Sequence, residues 1–153
     1  MDRTKKPVVL IIDDDPNFLD LCRARLLKGY EIHMAFDGDE GIQMARALSP
    51  AAILLDLAMP RVSGIQVLEH MQAQKEFRSV PVLVMTTLRL DREQKASVSA
   101  LANVAKFLEK TAALERLLEE TERAVLIGQL YKATLASKAR DSNFNLTEHP
   151  RPA

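Results

Sequence analysis

Apolar residues in this chain fall into short unbroken runs, separated by longer stretches with a helical beat. Val8-Val9-Leu10-Ile11-Ile12, Ala51-Ala52-Ile53-Leu54-Leu55 and Val82-Leu83-Val84-Met85 carry apolar side chains without alternation. Such runs predict strands buried on both faces, as in a parallel sheet beneath helices. Two further strands are expected, a less regular one near 31–36 and Val104-Ala105-Lys106-Phe107-Leu108.

Helical signals fill the intervals. Asp15-Pro16 caps and opens the first helix, with Phe18, Leu19, Cys22, Leu26 and Leu27 facing inward and Gly29 at the stop. Asp37 and Glu40 have the spacing of a capping box, ahead of Ile42, Ala45 and Leu48. Ser49-Pro50 breaks that helix. A loop from Leu57 to Gly64 leads into a third helix facing inward with Ile65, Leu68 and Met71. A polar fourth helix is expected over 91–102, stopping at Asn103, and a fifth begins near Thr111. Its inward face is read as Leu114, Leu117, Leu118 and Thr121. Five strands alternating with five helices in about 120 residues predict an α/β fold with a parallel sheet and right-handed crossovers.

Composition narrows the function. At 153 residues the chain suits one domain with a sizeable core. Lys plus Arg and Asp plus Glu both number 21, so net charge favours neither nucleic acid nor a membrane surface. The single cysteine, Cys22, forbids an internal disulfide and reads as a core residue. No segment approaches the ~20 apolar residues of a membrane span. No export signal follows the N-terminus, and a cytoplasmic location is expected. His33, His70 and His149 lack metal-like spacing.

The chemistry gathers where apolar runs end. The first run meets Asp13-Asp14-Asp15, and the third strand meets Asp56. Ligands of open α/β sheets bind at the carboxyl ends of strands, where the strand order reverses. If those strands are neighbours, Asp13, Asp14 and Asp56 converge in one pocket. Crowded carboxylates raise one another's pKa unless a hard cation sits among them, and oxygen ligands suit Mg²⁺. Asp15 is set aside as a helix cap.

Val9-Leu10-Ile11-Ile12-Asp13-Asp14-Asp15-Pro16, Leu54-Leu55-Asp56 with Met59-Pro60 and Gly64, Pro81 to Thr86, and Phe107-Leu108-Glu109-Lys110 together resemble the receiver domain of two-component response regulators. The resemblance spans about residues 7–122 and implies a flavodoxin-like fold with strand order 2-1-3-4-5. It implies a stand-alone phosphoaccepting module. Asp56 would take a phosphoryl group from a sensor histidine kinase or phosphotransfer protein. Asp13, Asp14, Asp56 and the backbone carbonyl of Ala58 would hold Mg²⁺. Thr86 and Lys110 would contact the phosphoryl group, and Thr86 with Phe107 would form the switch. The only reactions catalysed would be its own phosphorylation and dephosphorylation. Signalling would run through contact with a downstream protein.

Two departures stand out. Thr111 follows Lys110 where the family has proline after a cis peptide, a bond that costs about 3–4 kcal/mol before other residues. That substitution motivates a second reading, a receiver-like interaction domain independent of phosphorylation. Ala58 and Leu88 flank the phosphoryl position and cannot orient water, so rapid self-dephosphorylation is not expected. A hydrolase of the haloacid dehalogenase type would want an acid at Ala58, and no Gly-rich phosphate loop follows the first strand.

The chain divides into an N-terminal tail over 1–6, a receiver over 7–122, a helical extension over 123–140 and a disordered tail over 141–153. Ala124 to Tyr131 is apolar on nearly every side. Leu126, Ile127 and Leu130 point away from the expected sheet-facing side, and with Tyr131 they form a candidate interaction surface. The segment either folds back on its own domain or meets a partner helix, including one from a second copy. No helix-turn-helix or basic patch is present, so direct DNA binding is not expected.

Overall fold

Ile12 pairs with Leu55 across two neighbouring parallel strands, and that pairing sets the geometry of everything above it. The computed structural model describes residues 5–101 and 104–144. Five strands, β1 (Val8–Ile12), β2 (Glu31–Ala35), β3 (Ala52–Leu55), β4 (Val82–Thr86) and β5 (Val104–Glu109), form one parallel sheet in the order 2-1-3-4-5. The helices are α1 (Pro16–Leu26), α2 (Gly38–Leu48), α3 (Gly64–Ala73), α4 (Arg92–Ser99) and α5 (Lys110–Phe144), with a short 3₁₀ turn at Lys75–Phe77.

The central strands are apolar on both faces because both faces are covered. Val9, Ile11, Leu54, Leu83 and Met85 pack towards α1 and α5. Leu10, Ile12, Ile53, Leu55 and Val84 pack towards α2, α3 and α4. The edge strand β2 is only partly buried, which accounts for its weaker pattern.

The caps follow the local sequence. Asp15 accepts hydrogen bonds from the N–H groups of Asn17 and Phe18 at the start of α1. Asp37 accepts from the N–H of Glu40, but Glu40 returns its bond to the N–H of Phe36 rather than to the cap itself. Ser63 and Gln66 close a full capping box on α3, and Asp91 and Gln94 close one on α4. Ser49 ends α2 in the left-handed conformation, at φ 46°.

Several boundaries differ from the sequence expectation. α1 ends at Leu26, Leu27 is exposed, and Gly29 has no positive φ. The chain leaves this helix through bonds from Gly29 and Tyr30 to the Leu26 carbonyl, without a left-handed glycine. α4 stops at Ser99, earlier than expected, and the expected stop at Asn103 lies outside the described residues. α5 starts at Lys110, next to the expected Thr111. Leu118 is exposed, because it sits one helical step away from the buried Leu117. α5 also runs to Phe144, past the expected limit of 140, and 145–153 lie outside the described residues.

Candidate functional site

Strand register carries the site across the sheet like a staircase. Asp13 and Asp56 follow the paired Ile12 and Leu55, so they leave adjacent strands at one level. Leu55 pairs with Val84, which sets Thr86 just above Asp56. Thr86 pairs with Glu109, and Lys110 is the next residue. Asp13, Asp56 and Lys110 therefore meet at the carboxyl edge, where the strand order reverses between β1 and β3, and Thr86 ends the neighbouring strand.

Asp13, Asp14 and Asp56 each present a carboxylate oxygen within 4.8 Å of one another. Asp13 and Asp56 are buried, at 0% and 2% exposure, while Asp14 faces solvent. Asp13 Oδ1 accepts the N–H of Asp15 at 2.9 Å. Asp56 Oδ1 accepts the N–H of Ala58 at 3.0 Å, and its Oδ2 accepts Lys110 Nζ at 3.1 Å. Lys110 Nζ also approaches Asp13 Oδ2 to 2.6 Å as an ion pair. The three carboxylates together form an oxygen-only donor set of the kind that suits a hard divalent cation.

Charge explains the ionisation of the group. Burial pushes the Asp13 carboxyl up, and the bonds from Lys110 and Asp15 only partly offset it. Burial pulls the Lys110 ammonium down, but its bonds to Asp13 and Asp56 outweigh this and hold it above the ordinary lysine value. Lys110 Nζ also lies 4.6 Å from the centroid of the Phe18 ring. Phe18 was legible only as a core position of α1, and nothing in its spacing marks it as a support for the lysine. The Lys110–Thr111 peptide is trans, and Lys110 reaches both carboxylates from it.

Thr86 is buried, and its Oγ1 accepts the N–H of Leu88 at 3.1 Å. A cleft of about 440 Å³ opens beside it, lined in part by Leu88, Lys95, Glu109 and Thr111. Phe107 is half-buried against the cluster of Val84 and Val98. Gly64 packs against the backbone of the third strand's end. A Cβ there would overlap the Asp56 carbonyl oxygen and come within 2.7 Å of Leu57 Cα. Cys22 is buried away from solvent, with its thiol pushed up to about 12 by burial.

The response regulator receiver domain model matches residues 9–122. The chain belongs to that family. This receiver is 29% identical over 144 residues to hybrid signal transduction histidine kinase D of Dictyostelium discoideum, covering 94% of this chain and 9% of that protein. It is 33% identical over 111 residues to response regulator MprA of Mycobacterium ulcerans, covering 72% of this chain and 46% of that one. The chain thus spans less than half the length of either relative. Among solved structures, chemotaxis protein CheY4 of Vibrio cholerae superposes with a TM-score of 0.71 at 27% identity. That likeness covers 78% of this chain and 98% of CheY4. Among the described residues, no helix of the receiver is long and apolar enough to cross a membrane.

Proposed function

We propose that this receiver accepts a phosphoryl group on Asp56 in a two-component phosphorelay in the cytoplasm. The observation that carries the reading is the meeting of Asp13, Asp14 and Asp56 within 4.8 Å, with Lys110 bridging two of them. An Asp56 carboxylate oxygen attacks the phosphorus of a phosphohistidine on a histidine kinase or phosphotransfer protein. The P–N bond breaks, its electrons return to the imidazole, and an acyl phosphate remains. Phosphoryl transfer depends mainly on positioning and charge neutralisation. Asp13, Asp14, Asp56 and the carbonyl of Ala58 would hold Mg²⁺, which when bound offsets the charge of the carboxylates and phosphoryl oxygens.

The chain's own residues do the remainder. The N–H of Ala58 holds Asp56 Oδ1, which fixes the carboxylate plane. Lys110 supplies a compact cation facing Asp56 Oδ2, anchored by Asp13 and the Phe18 ring. Thr86 would donate its hydroxyl proton to a phosphoryl oxygen, a move its Leu88 bond allows because there it acts only as acceptor. Phe107 would then turn inward, with no polar group to strand. The changed surface over α4, β5 and α5 would engage a downstream protein. Leu88 is exposed and apolar, and neither it nor Ala58 can orient water, so the acyl phosphate would be long-lived.

The test is incubation with acetyl phosphate, with Mg²⁺ or with EDTA, followed by intact mass. Incorporation of one phosphoryl group only with Mg²⁺ supports the reading. No incorporation in either condition supports the alternative, a receiver-like interaction domain that works without phosphorylation.

A further inference from the structure

Leu126, Ile127 and Leu130 of α5 are exposed, Ile127 and Tyr131 border a cleft of about 230 Å³ against their own domain, and nothing in the structure shows what covers their outer face. The loop from Leu57 to Ser63 is more specific, because it holds its backbone in a conformation that its sequence does not favour. Arg61 has φ 63°, in the left-handed region that residues with a Cβ seldom enter. Among the described residues the other such position is Ser49, which closes the end of α2. Arg61 closes no helix. A strained conformation of this kind persists only where its surroundings hold it.

The start of α2 does the holding. Arg61 Nη2 donates to Asp37 Oδ2 at 3.0 Å. The next residue, Val62, packs so close that a Cβ at Gly38 would lie 2.7 Å from its Cγ1. Asp37 is fixed in turn, since its Oδ1 accepts the Glu40 N–H at 2.8 Å. Two residues before Asp37, the Ala35 carbonyl accepts the N–H of Asp13 at 3.1 Å. On the other side, the loop carries Ala58, whose N–H holds Asp56 Oδ1 at 3.0 Å. The sheet already joins the two walls of the acidic pocket, through the Asp56 N–H and the Ile12 carbonyl at 3.0 Å. The Asp37–Arg61 ion pair joins them a second time, between the loops.

We propose that the Asp37–Arg61 ion pair is a tether that positions the phosphoacceptor loop, so that the Ala58 carbonyl and the Asp56 carboxylate face the cation site together. The proposal rests on the phosphoryl-accepting reading. Both residues act through the loop and are positioning residues. Arg61 is 76% exposed, so the pair adds little to folding stability, and its effect lies in loop geometry. Without it, strain at Arg61 favours a different backbone conformation, which displaces Ala58. Small displacements of groups that place a reacting atom slow the reaction out of proportion to their effect on stability.

Arg61→Gly accepts the left-handed backbone without steric cost and removes the tether. It should keep the parent's denaturation midpoint, yet bind Mg²⁺ about threefold more weakly by calorimetry and take label from acetyl phosphate about threefold to fivefold more slowly. Asp37→Asn keeps a side chain able to cap α2 but loses the charge, and it should show the same losses. The two changes together should lose no more than either alone. Arg61→Lys restores a cation and should recover part of the rate. Unchanged Mg²⁺ affinity and labelling in Arg61→Gly, losses that add in the double variant, or losses that track the midpoint would each overturn the tether. A parent that binds Mg²⁺ but takes no label sinks the phosphorylation reading, and the Mg²⁺ affinities alone then decide the tether. A parent that binds no Mg²⁺ has no cation site to position, which overturns the proposal.

Discussion

Lys110 Nζ lies 2.6 Å from Asp13 Oδ2, closer than its 3.1 Å approach to Asp56 Oδ2. The lysine therefore anchors on Asp13 and presents its charge to Asp56, the proposed phosphoacceptor. That ion pair offsets the charge of the buried Asp13 carboxylate.

Lys110→Met should lower folding stability by about 3–5 kcal/mol without Mg²⁺, since it leaves two buried carboxylates unpaired. The same variant should bind Mg²⁺ on the order of tenfold more tightly, because a competing positive charge is gone. Chemical denaturation with and without Mg²⁺ reads both. Equal Mg²⁺ affinity in parent and variant would show that the lysine and the cation do not share these carboxylates.

Gly64→Ala should destabilise the fold by about 1–3 kcal/mol and slow phosphorylation, because the new methyl overlaps the Asp56 carbonyl and must displace the loop. Denaturation midpoints and the rate of acetyl phosphate labelling report the two effects. A variant as stable and as fast as the parent would mean the loop yields without moving Asp56.

Thr86→Val should leave phosphoryl incorporation measurable but uncouple it from shape. The parent's Phe107 ring signals should shift when beryllofluoride is added with Mg²⁺, and the variant's should stay in place. Identical Phe107 shifts in both proteins would remove the hydroxyl from the switch.

Much of this fold could be read from the chain. β1, β3 and β4 are doubly buried and so carry unbroken apolar runs, which is why their terminal carboxylates stood out. β2 and β5 were harder, being edges with exposed or half-buried positions. Pairing of distant side chains away from the strand-end carboxylates was not readable. The Phe18 ring beside Lys110 is one case. Glu120 is another: it reads as a surface acid, yet it is 3% exposed and held by Lys106 at 2.8 Å and Arg116 at 2.9 Å. Nothing in helical periodicity says that a strand lysine will draw it inward.

That pairing predicts a pH dependence. The bond from Lys106 lowers the Glu120 pKa, with the nearby arginines adding to it. A depressed carboxylate stabilises the fold above its unfolded value of about 4.3 and loses that contribution as pH falls through the folded value. Glu120→Gln should therefore cost about 1.5–3 kcal/mol at pH 7, and the gap should close on acidification below 4.3. A gap that persists unchanged in acid would mean the loss is one of packing and not of charge.

The most direct test of phosphoacceptance is to locate the label. The protein is treated with acetyl phosphate and Mg²⁺, reduced with borohydride, and mapped by peptide mass. An acyl phosphate at Asp56 becomes homoserine at that position, and Asp56→Asn should show neither the phosphoryl mass nor the reduction. Homoserine at Asp13 or Asp14 instead, or full labelling of Asp56→Asn, would contradict the assignment of Asp56 as the phosphoacceptor.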